Sequence, residues 1–332
     1  MIAPALIRLL STRRTLSLTG TALTLTLLLV GCGSEGKRPT ATLVLDFTPN
    51  AVHSGLYTTV ARGYDRASGF DLQIEQPSES TDSVKLLLSG RTRFAVLDIH
   101  DLALAQAQGQ QIVGVMALLQ RPLAAVIAQP AIKTPRELEG HKIGVTGLAS
   151  DNAVLDSVVA GAGADPHKVR TINIGFEAVP SLLARRVDAA TAFWDVEGVA
   201  LTSARPGIKE FRVDEYGAPA YPELVLCASR AEVEHEHAFV EKVVHAIQRG
   251  YALTVRDPAA SEDDLLREVP GLNRATIAAQ LRVLRRAFVA AGGHFGELNL
   301  ARLRSWASWE AHFGIVPHPP QVSRLFDPSF AG

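Results

Sequence analysis

Val84-Lys85-Leu86-Leu87-Leu88-Ser89-Gly90-Arg91-Thr92-Arg93-Phe94-Ala95-Val96-Leu97-Asp98 reads as a helix, a glycine-containing turn and an apolar strand that ends on a polar residue. From position 179 the same order returns in Val179-Pro180-Ser181-Leu182-Leu183-Ala184-Arg185-Arg186-Val187-Asp188-Ala189-Ala190-Thr191-Ala192-Phe193-Trp194-Asp195. Identities between the two are few, so the repeat is one of construction plan. Each copy sits in a run of alternating β-rich and helical patterns, and that alternation predicts sheets covered by helices. The fold class expected is therefore α/β, with two lobes.

Ahead of the first copy the chain reads as strand 42–47, helix 56–67, strand 71–76 and helix 82–88. Two apolar strands that each follow a proline, Pro122 to Gln129 and Pro222 to Ser229, are placed to carry the chain between lobes. Between them, strand 141–146 turns through Gly147-Leu148-Ala149 into a helix that Ser150 or Asp151 caps. Beyond Glu232 the patterns are helical, at 238–255, 274–290 and 300–313, and these helices are expected to return over the first lobe. Lobe 1 is then 41–127 with 223–332, and lobe 2 is 128–222. Ligands of such sheets sit beyond the carboxyl ends of the strands, so a hinge and a central cleft are expected.

Residues 1–31 read as an export signal: Arg8, Arg13 and Arg14 precede an apolar stretch that ends in Leu29-Val30-Gly31-Cys32. That ending resembles a lipobox, in which Cys32 is acylated and becomes the new N-terminus. The alternative, a membrane helix followed by an ordinary cysteine, asks for a span of roughly 20 apolar residues, longer than this run. Arg13-Arg14 also faintly resembles a twin-arginine signal. Residues 32–40 form a polar tether. The expected location is the extracytoplasmic face of the cell membrane, held by a lipid anchor.

The whole chain carries 33 Lys+Arg against 34 Asp+Glu, with no basic run dense enough to track phosphates, so no nucleic-acid partner is expected. Cys227 lies inside the apolar run Leu224-Val225-Leu226-Cys227-Ala228 and reads as a small core residue. Glu234-His235-Glu236-His237 lacks the His-Glu-x-x-His spacing, and neither a Gly-x-Ser-x-Gly elbow nor a Walker A loop occurs. No catalytic residue, metal or cofactor is expected.

Asp46-Phe47-Thr48-Pro49-Asn50-Ala51-Val52-His53-Ser54-Gly55-Leu56-Tyr57 stands at the end of the first strand. It resembles the signature of the NMT1/THI5-like family of periplasmic-type binding proteins, Asp-aromatic-x-Pro-Asn followed by His-x-Gly-x-Tyr. Looser similarity runs through Gln120-Arg121-Pro122-Leu123, Gly144-Val145-Thr146-Gly147, and Phe193-Trp194 with Glu197. The resemblance implies a type II periplasmic-binding-protein fold and a monomeric receptor that delivers a thiamin pyrimidine precursor to an ABC permease and its ATPase. Riboflavin, sulfonate or nitrate are the ligand alternatives. A pyrimidine-synthase-like enzyme and a sensor subunit are the alternatives of class; the synthase branch uses a cysteine-rich iron motif that this chain lacks.

The expected ligand residues follow the strand ends. Asp46, Asn50, His53 and Tyr57 come from the motif, with His53 and Tyr57 spaced to share a helix face; packing and capping are their structural alternatives. Asp98 either accepts from an exocyclic amine or caps the next helix. Phe193 and Trp194 are placed to cover a planar ring, with Glu197 as acceptor and Trp194 as core the alternative. Gly147, Ser150 and Asp151 place N–H groups at a helix start for a carbonyl or an anion, and Arg121 is available to an anion.

Overall fold

Ten strands form two five-stranded sheets in the computed structural model, which describes residues 38–78, 82–289 and 293–332. The export segment, Cys32 and most of the tether lie outside the described residues; the tether's last residue, Thr40, already belongs to a strand. The first lobe begins with β1 (Thr40–Val44), β2 (Asp71–Glu75), β3 (Phe94–Asp98) and β4 (Ile112–Ala117). The second sheet takes β5 (Ala124–Ala128), β6 (Lys142–Val145), β7 (Arg170–Asn173), β8 (Ala189–Phe193) and β9 (Lys209–Arg212), and β10 (Leu224–Ser229) returns to the first. The orders are β2-β1-β3-β10-β4 and β7-β6-β8-β5-β9.

These orders are one topology used twice. In each sheet four strands run in one direction, and a strand arriving from the other lobe inserts antiparallel between two of them, β10 between β3 and β4 and β5 between β8 and β9. The sequence echo thus has a structural cause: helix Asp82–Leu88 leads into β3 as helix Ala178–Leu183 leads into β8. Even the turns agree. Gly90 has φ +70°, and Arg185, at the matching position, takes φ +55°, the left-handed conformation a side chain rarely adopts. The inserted strands and β3 and β4 are buried almost throughout, which is why they read as continuous apolar runs without alternation.

A lobe boundary at residue 127 would cut β5 just before its end. That strand pairs with β8 and β9 over nearly its whole length, which puts the first crossing ahead of Ala124. The expected helix 56–67 is interrupted by Gly63 at φ +66° and forms two pieces, Ser54–Ala61 and Tyr64–Ala67. The helix expected over 274–290 ends at Leu284, and an unforeseen helix, Pro258–Glu268, is capped by Asp257.

The C-terminal helices do more than cover the first lobe. Helix His237–Arg256 lies so close to Ser54–Ala61 that a Cβ on Gly250 would come within 2.1 Å of the Gly55 carbonyl oxygen, and one on Gly55 within 2.2 Å of Tyr251 Cγ. Gly55 in the motif is therefore a packing requirement. Helix Leu300–His312 serves both lobes: Trp309 Nε1 donates to Ser157 Oγ at 3.1 Å, while Glu310 meets His100. Among the described residues no helix is long and apolar enough to cross a membrane.

Candidate ligand-binding cleft

Carboxyl ends of β1, β3, β6 and β8 converge on a cavity of about 120 Å³, closed from one side by the two crossings at Leu123–Ala124 and Glu223–Leu224. Its wall from the first lobe carries Asp46, Phe47, Asn50, Asp98, His100 and Asp101. From the second come Thr146, Ser150, Asp151, Thr191, Phe193, Asp195 and Glu197. Among the described residues seven carboxylates line it, Glu223 included, and no Lys or Arg does.

The first-strand loop is held by its own side chains. Pro49 limits the strand exit, and Asn50, in extended conformation, accepts the Val52 N–H on Oδ1 at 2.9 Å. His53 Nδ1 accepts the Asn50 N–H at 3.2 Å, which leaves the ring proton on Nε2, 2.8 Å from Asp46 Oδ1. His53 is fully buried, so it orients Asp46 from behind and does not itself line the cavity. Tyr57 also lies outside: it packs in the core, where burial and then Glu268 push its hydroxyl up to about 12. The helical pairing expected of the two fails because His53 ends a short 3-10 turn ahead of the helix.

At the exit of β6, Asp151 occupies the helix start with its own carboxylate. Oδ2 accepts from the N–H groups of Gly147 and Leu148 at 2.7 and 2.9 Å and from Thr146 Oγ1 at 2.7 Å; Oδ1 accepts from Thr191 Oγ1 at 2.9 Å. The donors expected there for an anion are thus already used, and Gly147 itself does not line the cavity, although Ser150 and Asp151 do. Arg121 is likewise committed, donating from Nε to Asp214 Oδ2 at 2.7 Å outside the cavity. Asp151→Ala would strand the Gly147 N–H and two hydroxyls and leave the Leu148 N–H only its longer bond to Thr146 Oγ1. The expected loss is about 3 kcal/mol of stability, read as a lower urea midpoint.

Trp194 is the largest correction. Its indole is 2% exposed, donates to the Pro122 carbonyl oxygen at 3.0 Å and lies under the Arg212 guanidinium at 4.1 Å. Side chains alternate along the end of β8, so Phe193 faces the cavity and Trp194 faces the core. Glu197 lines the cavity and accepts the Phe193 N–H at 3.1 Å; burial holds its carboxyl above the ordinary range.

Asp195 went unremarked as a ligand residue in the sequence, yet it is the most unusual group here. It is fully buried, it lines the cavity, and neither carboxylate oxygen has a hydrogen-bond partner outside its own residue. Burial, then Glu197, pushes it up to about 8, so it keeps its proton at neutral pH. Across the cleft, Asp98 caps helix Ile99–Ala107 by accepting the His100 N–H at 2.7 Å, and its other oxygen has no protein partner. Burial raises Asp98, and burial with Asp98 beside it lifts Asp101 to about 7. Burial opposes charge on His100, but Glu310, Asp98 and Glu223 outweigh it and lift the ring to about 10. Glu223, on the second crossing, accepts the N–H groups of Leu123 and Ala124 on the first and so ties the two together. At the cleft, Phe47 of the first lobe meets Phe176 of the second with ring centroids 5.8 Å apart.

Comparison with known proteins adds four findings. The family described as NMT1/THI5 like matches residues 50–261. The formylaminopyrimidine-binding protein of Halalkalibacterium halodurans is 29% identical over 281 residues, 82% of this chain and 85% of that protein. A 4-amino-5-hydroxymethyl-2-methylpyrimidine phosphate synthase of Legionella pneumophila is 22% identical over 70% of this chain and 74% of its own. Among solved structures, the periplasmic aliphatic sulphonate binding protein SsuA of Escherichia coli superposes with a TM-score of 0.71 at 16% identity, covering 87% of this chain and 92% of that one. That likeness shows the fold, a type II periplasmic-binding-protein architecture.

Proposed function

The chain belongs to the NMT1/THI5-like family, and from that membership and the chemistry of the cleft we propose an exported receptor that binds a thiamin pyrimidine precursor of the formylaminopyrimidine or hydroxymethylpyrimidine type. The observation that carries the reading is the lining: among the described residues, seven carboxylates with no Lys or Arg, one of them a buried, unpartnered Asp195 whose carboxyl burial pushes up to about 8. An aminopyrimidine presents an N–H donor beside a ring-nitrogen acceptor. A protonated carboxyl answers both at once, donating O–H to the ring nitrogen and accepting from the amine. Phe193 supplies an apolar plate for the ring, and Asp46, Asn50 and Glu197 supply further acceptors.

The same lining argues against a sulfonate or nitrate, which needs free cations or N–H donors; His100 is paired with Glu310, and Arg121 and the turn at Gly147 are both committed elsewhere. A cavity of about 120 Å³ suits one substituted ring and falls below the roughly 300–1,000 Å³ of drug-sized sites, which counts against the three fused rings of riboflavin.

The reading is of binding without turnover. Cys227, the one cysteine among the described residues, is buried inside β10 with its thiol pushed up by burial. On this reading the monomer is held at the outer face of the membrane by lipidated Cys32. Ligand contacts to both lobes favour the closed form, which an ABC permease then recognises. Calorimetric titration with hydroxymethylpyrimidine, formylaminopyrimidine, riboflavin and an aliphatic sulfonate tests it. Micromolar or tighter binding of a pyrimidine with silence from the sulfonate is expected. A sulfonate that binds more tightly than either pyrimidine would overturn the reading.

A further inference from the structure

We propose that Asp98, His100 and Glu223 form a site for one divalent transition-metal ion of the zinc and cobalt class on the floor of the cleft. Among the described residues this is the group in which two carboxylate oxygens and an imidazole nitrogen lie within 4.8 Å of one another. Asp98 ends β3, His100 stands in the first turn of the next helix, and Glu223 lies on the crossing before β10. Glu223 is more than a hundred residues from the other two and meets them through the pairing of β10 with β3, which sets Leu224 opposite Asp98.

Two observations beyond the cluster point to a cation. Glu223 Oε1 is completely buried without a hydrogen-bond partner and faces His100 Nε2 at 3.7 Å. The imidazole is also held from behind: its Nδ1 meets the buried carboxylate of Glu310, while Nε2 faces Glu223 Oε1 at 3.7 Å and the Tyr221 hydroxyl at 3.3 Å, a contact the ion would replace. A carboxylate on the far nitrogen is the arrangement that orients a metal-binding histidine and raises its basicity. Asp98 keeps one oxygen on the His100 N–H and leaves the other for the ion.

One nitrogen and two carboxylate oxygens suit ions that accept both ligand types, at bond lengths of about 2.0–2.2 Å reached by small side-chain rotations. Three carboxylates surround a single imidazole here, and a divalent ion would offset that excess of negative groups. All three donors line the cavity, so the remaining coordination position opens into the cleft, where a ring nitrogen or hydroxyl of a small ligand would complete the shell. Glu310 touches no metal and is a positioning residue.

The test uses the metal alone, so it stands apart from the pyrimidine reading. Protein stripped with chelator is titrated with Co²⁺ and followed by its visible ligand-field absorption. One equivalent should bind, and His100→Ala and Asp98→Asn should each lower the affinity about tenfold or more. Glu310→Gln should lower it roughly 10- to 100-fold. Circular dichroism checks each fold; Asp98→Asn, which alters a half-buried group at the cavity surface, keeps the test open should His100→Ala unfold. No stoichiometric band from the wild type, or a band unchanged in Asp98→Asn, overturns the site.

Discussion

Asp195→Ala is expected to weaken aminopyrimidine binding about a hundredfold while leaving the unliganded protein as stable as the wild type or more so. The two effects diverge because Asp195 makes no hydrogen bond outside its own residue within the protein. Folding carries its desolvation with no return, and only a ligand in the cavity supplies the missing partners. A residue that served the fold would show the opposite pattern. The carboxyl sits at about 8 in the folded chain and at 3.8 in the unfolded one, so between those values the folded form holds a proton that the unfolded form has released. Its contribution to stability is then complete below the lower value and declines as pH rises toward the higher, by up to about 1.4 kcal/mol per unit. Urea denaturation across that range should show a flatter slope in Asp195→Ala than in the wild type. Calorimetry at pH 7 supplies the affinity, and an unchanged affinity would remove Asp195 from the ligand site.

The architecture was legible because its signals are local. Helix Asp82–Leu88 and the apolar strands β3, β5 and β10 follow from periodicity and from the prolines that precede the last two. β4, β7 and β9 escaped notice, β7 for a physical reason: it is an edge strand, exposed along its length, and its residues Arg170-Thr171-Ile172-Asn173 have no buried face to pattern. The strand ends lie around the cavity, and Asp46, Asn50, Asp98, Ser150, Asp151, Phe193 and Glu197 all line it. What they could not supply is direction at the end of a strand. Phe193, Trp194 and Asp195 are consecutive, and one step decides whether a side chain enters the cavity or the core.

Commitment of polar groups is equally invisible in a sequence. Arg121 and the N–H groups after β6 look available to an anion until Asp214 and Asp151 are found on them. Glu223 did carry a signal, a carboxylate opening an otherwise apolar strand directly after Pro222, which is costly unless it has partners. Those partners, the N–H groups of Leu123 and Ala124, lie about a hundred residues away.

Trp194→Ala, by contrast with Asp195→Ala, should be a folding variant. The indole is among the largest fully buried side chains of the protein, and its removal leaves a cavity behind β8 and an unpaired carbonyl at Pro122, with Arg212 deprived of the ring beneath it. Such truncations cost about 3–5 kcal/mol. Trp194 also fastens β8 to the first crossing through that carbonyl, so its loss loosens the segment that positions Leu123 and Ala124 in the cavity wall. Affinity is then expected to fall only as far as the folded population falls, and to recover toward the wild-type value when measured well below the melting temperature. Trp194→Phe keeps most of the volume and should recover most of the stability, losing chiefly the hydrogen bond of about 1 kcal/mol. Thermal unfolding and calorimetry on the same samples separate the cases. A variant as stable as the wild type that no longer binds a pyrimidine would put the indole against the ligand and reverse the assignment of the two aromatic residues at the end of β8.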